Sequence, residues 1–68
     1  MFNTYDDTRM DHAAYQKKVK KMTDAALRYT IKDAGEAIRA NPSNRKNGYY
    51  QDEISYCSME LHRRNKSA

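Results

Sequence analysis

The sequence predicts an all-α chain: a helical hairpin with a long first helix and a short second one. Three observations carry that prediction. From Asp11 to Ala40 there is no proline, and apolar groups recur as Tyr15, Val19, Met22, Ala26, Thr30, Ala34 and Ile38, in the steps of three and four that mark a helix. The run Asn41 to Gly48 consists of turn formers and charges, which reads as a loop. Beyond it, Tyr50, Ile54, Cys57 and Leu61 form a second apolar stripe with helical spacing.

The elements follow in order. Residues 1–8 read as a flexible tail in which Phe2 and Tyr5 are the large apolar groups. Thr8 and Asp11 resemble a capping box with Asp in place of Glu, and Asp6, Asp7 and Asp11 place negative charge at the positive end of a helix. Helix one is therefore expected to start near Arg9 and to run unbroken to Ala40. On a wheel of about 100° per residue, its apolar arc is centred on Tyr15, Val19, Met22 and Ala26, then moves round to Leu27, Ile31, Ala34 and Ile38. Such a drift means either supercoiling or two halves that face different neighbours. The second explanation is preferred, because a short returning helix cannot cover both arcs.

Lys17, Lys18, Lys21, Arg28, Lys32 and Arg39 lie opposite the apolar arcs, and Asp24 and Arg28 are spaced for an i,i+4 pair. Gly35 falls on the polar side of the helix. It is either a tolerated surface glycine or a mark of close approach by a partner backbone or of a bend in the helix. Asn41-Pro42 ends the helix, and the loop is short enough to make the flanking helices antiparallel neighbours. Helix two is expected over Tyr49 to Arg64, within a single domain of residues 9–64, and residues 65–68 are expected to fray.

A 68-residue chain rarely gains more than about 3–5 kcal/mol from one core. Cys57 is the only cysteine, so no internal disulfide is available, and neither His12 nor His62 has a second metal ligand near it in sequence. No cofactor or metal is expected. Association is the remaining source of stability, and a homodimeric helical bundle is the expected assembly. Thirteen basic against nine acidic residues leave a formal charge of +4, enough to attract polyanions weakly. No apolar run approaches the roughly 18 residues of a membrane span, and Met1 to Asp11 lacks the regions of a secretion signal. The expectation is a soluble, cytoplasmic protein.

Chemistry is sparse. Asp52, Glu53 and Glu60 read as a solvated face, and Cys57 lies on the inner stripe with no His or Asp placed to activate it. Phosphate loops, nucleophile elbows and zinc motifs are missing from the sequence, so the chain reads as non-catalytic. Two surfaces stand out. Tyr15, Val19, Met22, Ala26 and Tyr29 form a band that the second helix is not expected to reach, and Tyr49 and Tyr56, flanking the stripe of that second helix, are the further interface candidates; large side chains with a polar tip are what protein interfaces use. The alternative is that the N-terminal tail covers this band. Lys17, Lys18, Lys20, Lys21, Arg63 and Arg64 are candidate phosphate contacts, whose affinity would fall with salt.

The stretch from Asp33 to Leu61, DAGEAIRANPSNRKNGYYQDEISYCSMEL, resembles small accessory proteins encoded by tailed phages. It covers fewer than half of the residues and brings no catalytic assignment. The resemblance implies a setting in the host cytoplasm and a host or viral macromolecule as partner. Together these readings predict a small adaptor or inhibitor that binds a protein through the tyrosine-edged face. The alternatives are a nucleic-acid-associated protein using the basic residues and a purely structural homo-oligomer.

Overall fold

Asp11 opens the first helix. Its backbone is extended, and its Oδ1 accepts from the Ala14 amide at 3.1 Å, satisfying one of the orphan donors of the first turn. The computed structural model describes residues 10–67, so the tail of residues 1–8, with the expected cap at Thr8, lies outside the described residues. Helix α1 (His12–Lys21) places Lys18, Lys20 and Lys21 in its last turn, against the negative end of the helix. Met22 and Thr23 then leave the helical region, at φ −82°, ψ 148° and φ −71°, ψ 160°. Thr23 Oγ1 accepts from the Ala26 amide at 3.0 Å and starts α2 (Asp24–Ala40), with Asp24 in its first turn.

The expected long first helix is therefore two helices, of 10 and 17 residues. The reason lies in the drift of the apolar arc. On a straight rod the Tyr15–Val19–Met22–Ala26 arc and the Leu27–Ile31–Ala34–Ile38 arc point about 120° apart, so one neighbouring helix cannot cover both. Breaking the rod lets the two arcs reach the same neighbour from two sides. The break forgoes helical hydrogen bonds, which the Thr23 cap (about 1 kcal/mol) and the closing bond from Met22 N to the Val19 carbonyl at 3.2 Å offset in part. Burial of Val19, at roughly 1.5–3 kcal/mol for such a side chain, together with that of Tyr15, favours the folded-back arrangement.

Three asparagines turn the chain after α2. Asn44 N donates to the Asn41 carbonyl and Asn47 N to the Asn44 carbonyl, each at 3.1 Å. Asn44 Oδ1 accepts from Lys46 N and Asn47 Nδ2 donates to the Asn41 carbonyl, each at 2.9 Å. Asparagine side chains serve such turns because they mimic backbone groups two residues away. Helix α3 (Asn47–Ser67) starts two residues before the expected Tyr49. At 21 residues it is the longest of the three helices among the described residues, which corrects the expectation of a short second helix ending at Arg64.

α3 is the spine on which both other helices pack, while α1 and α2 touch each other little. His12 meets Tyr56, and the carbonyls at the end of α1 meet Arg64, so α1 runs in the same direction as α3. Asp24 also meets Arg64 while Asn41 meets Asn47, so α2 runs against it. The core is Tyr15, Val19, Leu27 and Cys57, with Met10, Met22, Ile31, Tyr56 and Leu61 packed around it. Leu27 and Cys57 are completely buried. The expected contact between the Cys57–Leu61 stripe and Leu27 and Ile31 is thus present. The expectation that the second helix cannot reach Tyr15 and Val19 is overturned: both are buried, at 5% and 4% exposure, because α1 folds back.

Gly35 lies in the uninterrupted α2, and a Cβ built there would meet only Arg39 Nη1, at an ordinary 3.7 Å. Among the described residues of the chain itself, no close backbone approach explains it. Gly35→Ala is expected to stabilise the protein by about 0.5–1 kcal/mol, read as a raised midpoint in urea unfolding; an unchanged or lowered midpoint would contradict this packing.

Candidate functional site

Arg64 joins all three helices. Its Nη2 donates to the carbonyls of Val19 (3.2 Å), Lys20 (3.3 Å) and Met22 (2.8 Å), its Nη1 to Asp24 Oδ1 at 2.6 Å, and its Nε to Glu60 Oε2 at 2.9 Å. The last carbonyls of a helix have no intrahelical partner, and the planar guanidinium fork can serve several acceptors at once. Glu60, one turn earlier on α3, also receives Arg63 Nε at 3.2 Å and Arg63 Nη2 at 2.6 Å. The Glu60 side chain is only 5% exposed. Hydrogen bonding by Arg63, joined by Arg64 and opposed by burial, holds its carboxyl down to about 2. Asp24, expected to pair with Arg28 along α2, pairs instead with Arg64 across the bundle.

A second polar group ties α1 to the middle of α3. Tyr15 Oη donates to Glu53 Oε2 at 3.0 Å and lies 3.8 Å from Cys57 Sγ. The single phenolic hydrogen is directed to the carboxylate, so the thiol is the donor to the phenol oxygen. Burial pushes both the phenol and the thiol above their ordinary values, which keeps both neutral and Cys57 a poor nucleophile. Tyr56 Oη meets His12 Nδ1 at 3.0 Å and accepts from Gln16 Nε2 at 3.5 Å. Its ring is tilted against those of His12 and Tyr15.

Between α1 and α3 runs an open, mainly apolar groove of about 300 Å³, lined by Gln16, Val19 and Lys20 on one side and Tyr56, Met59, Glu60 and Arg63 on the other. The spacing explains it. Residues at i, i+3 and i+4 of α1 face residues at i, i+3, i+4 and i+7 of α3, each set forming one ridge. Val19 and Tyr56 supply the apolar walls, and Met59, 64% exposed, stands at the rim. That volume stands at the small end of the range of ligand pockets.

The expected interface residues are dispersed. Tyr15 and Val19 enter the core, and Val19 also walls the groove. Met22 and Ala26 are half-buried near the hinge, whereas Tyr29 is exposed on α2, outside the groove. Tyr49 stacks edge-on against Tyr50 beside the Lys46 ammonium, two turns from Tyr56. Among the candidate phosphate contacts, Lys17, Lys18, Lys20 and Lys21 are exposed on α1; Lys18 Nζ lies 5.3 Å from the centre of the Tyr15 ring. Arg63 binds Glu60 with its side chain 60% exposed, whereas Arg64 is engaged inside the bundle. Gln16, Met59 and Glu60 carry the groove and were not singled out by sequence. Glu60 followed by arginines at i+3 and i+4 was a visible signal of an ion cluster, but the role of Met59 needed the return of α1. Among the described residues, no group of three His, Cys, Asp or Glu side chains is placed to hold a metal.

Comparison with protein-family models, with curated proteins and with solved structures returns no match for this chain. What fold and site define together is a small all-α protein with an open groove between two of its helices.

Two outcomes follow from the Arg64–Glu60 cluster. Arg64→Ala should lower the thermal midpoint more than Arg63→Ala, and Arg64→Lys should recover only part of the loss, because an ammonium cannot span the same acceptors. Circular dichroism melts give this ranking, and a larger loss for Arg63→Ala would refute it. Glu60 is depressed in the folded state, so its contribution is present above the ordinary carboxyl value of about 4.3 and is lost as pH falls towards 2. Stability should therefore drop between about pH 5 and 2, and Glu60→Gln should both lower stability at neutral pH and flatten that slope.

Proposed function

We propose that this protein is a small non-catalytic binding module that takes an apolar side chain or short helix of a partner protein into the groove between α1 and α3. The observation that carries the reading is the groove itself: Val19 and Tyr56 form apolar walls, and Met59 is displayed at the rim of a frame held by Arg64. Methionine at an exposed rim adapts to varied apolar partners, and tyrosine and arginine are the residues that interfaces favour. A non-catalytic role is supported by the acids, since Glu53 accepts from Tyr15 and Glu60 is paired with two arginines. Cys57 is sealed in the core. No helix among the described residues is long and apolar enough to cross a membrane. The resemblance of Asp33–Leu61 to phage accessory proteins supports a host or viral protein as the partner, met in the host cytoplasm, with the chain acting as adaptor or inhibitor.

A second reading has its own observation. Lys17, Lys18, Lys20 and Lys21 are all exposed on α1, and Lys20 and Arg63 both line the groove, a basic strip suited to phosphates.

Affinity capture from a host lysate with the wild type, Met59→Asp, and a variant with the four lysines changed to glutamine separates the two readings. Retention of a host or viral protein that survives nuclease and high salt and is lost with Met59→Asp is the expected result. Retention that vanishes with nuclease and with the lysine variant, while Met59→Asp binds normally, would replace it with the nucleic-acid reading. Met59 is exposed, so its substitution should leave the melting curve within about 0.5 kcal/mol of wild type.

A further inference from the structure

The hinge between α1 and α2 consists of Met22 and Thr23 alone, and neither is a glycine or proline. Nothing covalent prevents these two residues from taking helical angles. α1 packs on α3 and hardly on α2, so it is an arm docked on a helix that is distant in sequence rather than on its neighbour. A short hinge joining an arm to such a docking site is the arrangement in which identical elements exchange between copies.

Straightening the hinge has definable consequences. The Thr23 cap on Ala26 N is lost. The carbonyls of Val19, Lys20 and Met22 gain helical partners in the amides of residues 23, 24 and 26, so they no longer need Arg64. Tyr15 and Val19 then project about 120° from the arc by which α2 holds its own α3, and cannot return to that helix. The docking surface they vacate, Glu53, Tyr56, Cys57 and Glu60, is present in identical form on every other copy. Arg64 makes its three carbonyl bonds only while the hinge is bent, so it acts as the latch of the closed form.

We propose that a second copy of this chain is the partner of α1: the hinge straightens, α1 and α2 become one helix, and α1 docks on α3 of the other copy in a swapped dimer. The side-chain contacts of α1 with α3, including Tyr15 to Glu53 and His12 to Tyr56, are then remade between chains, whereas the bonds of Arg64 to the hinge carbonyls are not. The groove is built from Gln16, Val19 and Lys20 of one copy and Tyr56, Met59 and Arg63 of the other. This inference stands apart from the identity of any protein the groove binds, because it is read from the purified chain alone.

The test is the oligomeric state by light scattering across a range of concentrations, for the wild type, Thr23→Ala, Arg64→Ala, and a variant with three glycines inserted between Met22 and Thr23. Thr23→Ala removes the cap from each of two bent hinges and should tighten the dimer about tenfold or more. The glycine insertion should leave a monomer. If Arg64→Ala does not fold, Thr23→Ala, altered at an exposed cap, still decides the matter. To identify the swap, His12 and Tyr56 are replaced by cysteine in a Cys57→Ser background and joined by a short bis-maleimide. Covalent two-chain products from the dimer fraction are the expected result. A Thr23→Ala protein that stays monomeric at all concentrations, or a dimer fraction that yields only single-chain products, would overturn the proposal.

Discussion

The guanidinium of Arg64 at the end of α1 is the interaction on which the rest of the arrangement depends. Two consecutive extended residues end the i to i+4 bonding at the end of α1, leaving the Val19 carbonyl only the closing bond from Met22 N, and the helix turns back onto α3 at that place. Arg64 receives three of those carbonyls and the Asp24 carboxylate, and it is itself positioned by Glu60. A single planar cation thereby connects the end of one helix, the start of the next and the third helix that both lie on.

Around this corner the protein manages a small core with polar groups that are nearly all committed. Tyr15 reaches through the core edge to Glu53, the Cys57 thiol is directed to the same phenol, and Tyr56 shares His12 and Gln16. These bonds fix the register of α1 on α3, which a stripe of only two buried side chains, Tyr15 and Val19, would leave loosely defined. A fixed register in turn sets the two ridges of the groove, so the shape that a partner would meet is a consequence of the polar pairs behind it.

The helical class, the turn region from Asn41 to Lys46 and the pairing of the Cys57–Leu61 stripe with Leu27 and Ile31 were legible in the sequence, because each rests on local periodicity or turn chemistry, although Asn47 and Gly48, read as loop, open α3. The break at Met22–Thr23 was legible only in part. The drift of the apolar arc was visible, as was Thr23 followed by Asp24, but an unbroken helix facing two neighbours satisfies the same pattern. Without glycine or proline, no local feature forces the bend. The groove was less legible still. Gln16, Val19 and Lys20 lie some forty residues from Tyr56, Met59, Glu60 and Arg63, and periodicity carries no information about which ridges meet. Glu60 read as a solvated acid although its partners Arg63 and Arg64 stand at i+3 and i+4 on the same helix; what periodicity could not show is that α1 packs beside it.

By itself, the sequence determined that the chain is helical, where its apolar faces lie and which residue types could carry chemistry, since backbone propensity and the helical repeat act over a few residues. Tertiary structure alone decided that one long rod becomes two helices and that Tyr15 and Val19 are core instead of open surface. It also decided that Arg64 is engaged inside the bundle with the α1 carbonyls, Asp24 and Glu60. The physical reason is the same in each case. Both the straight and the bent hinge are compatible with local preferences, and the balance between them is set by burial and hydrogen bonding against α3, whose side chains are distant in sequence and adjacent only once the chain has folded.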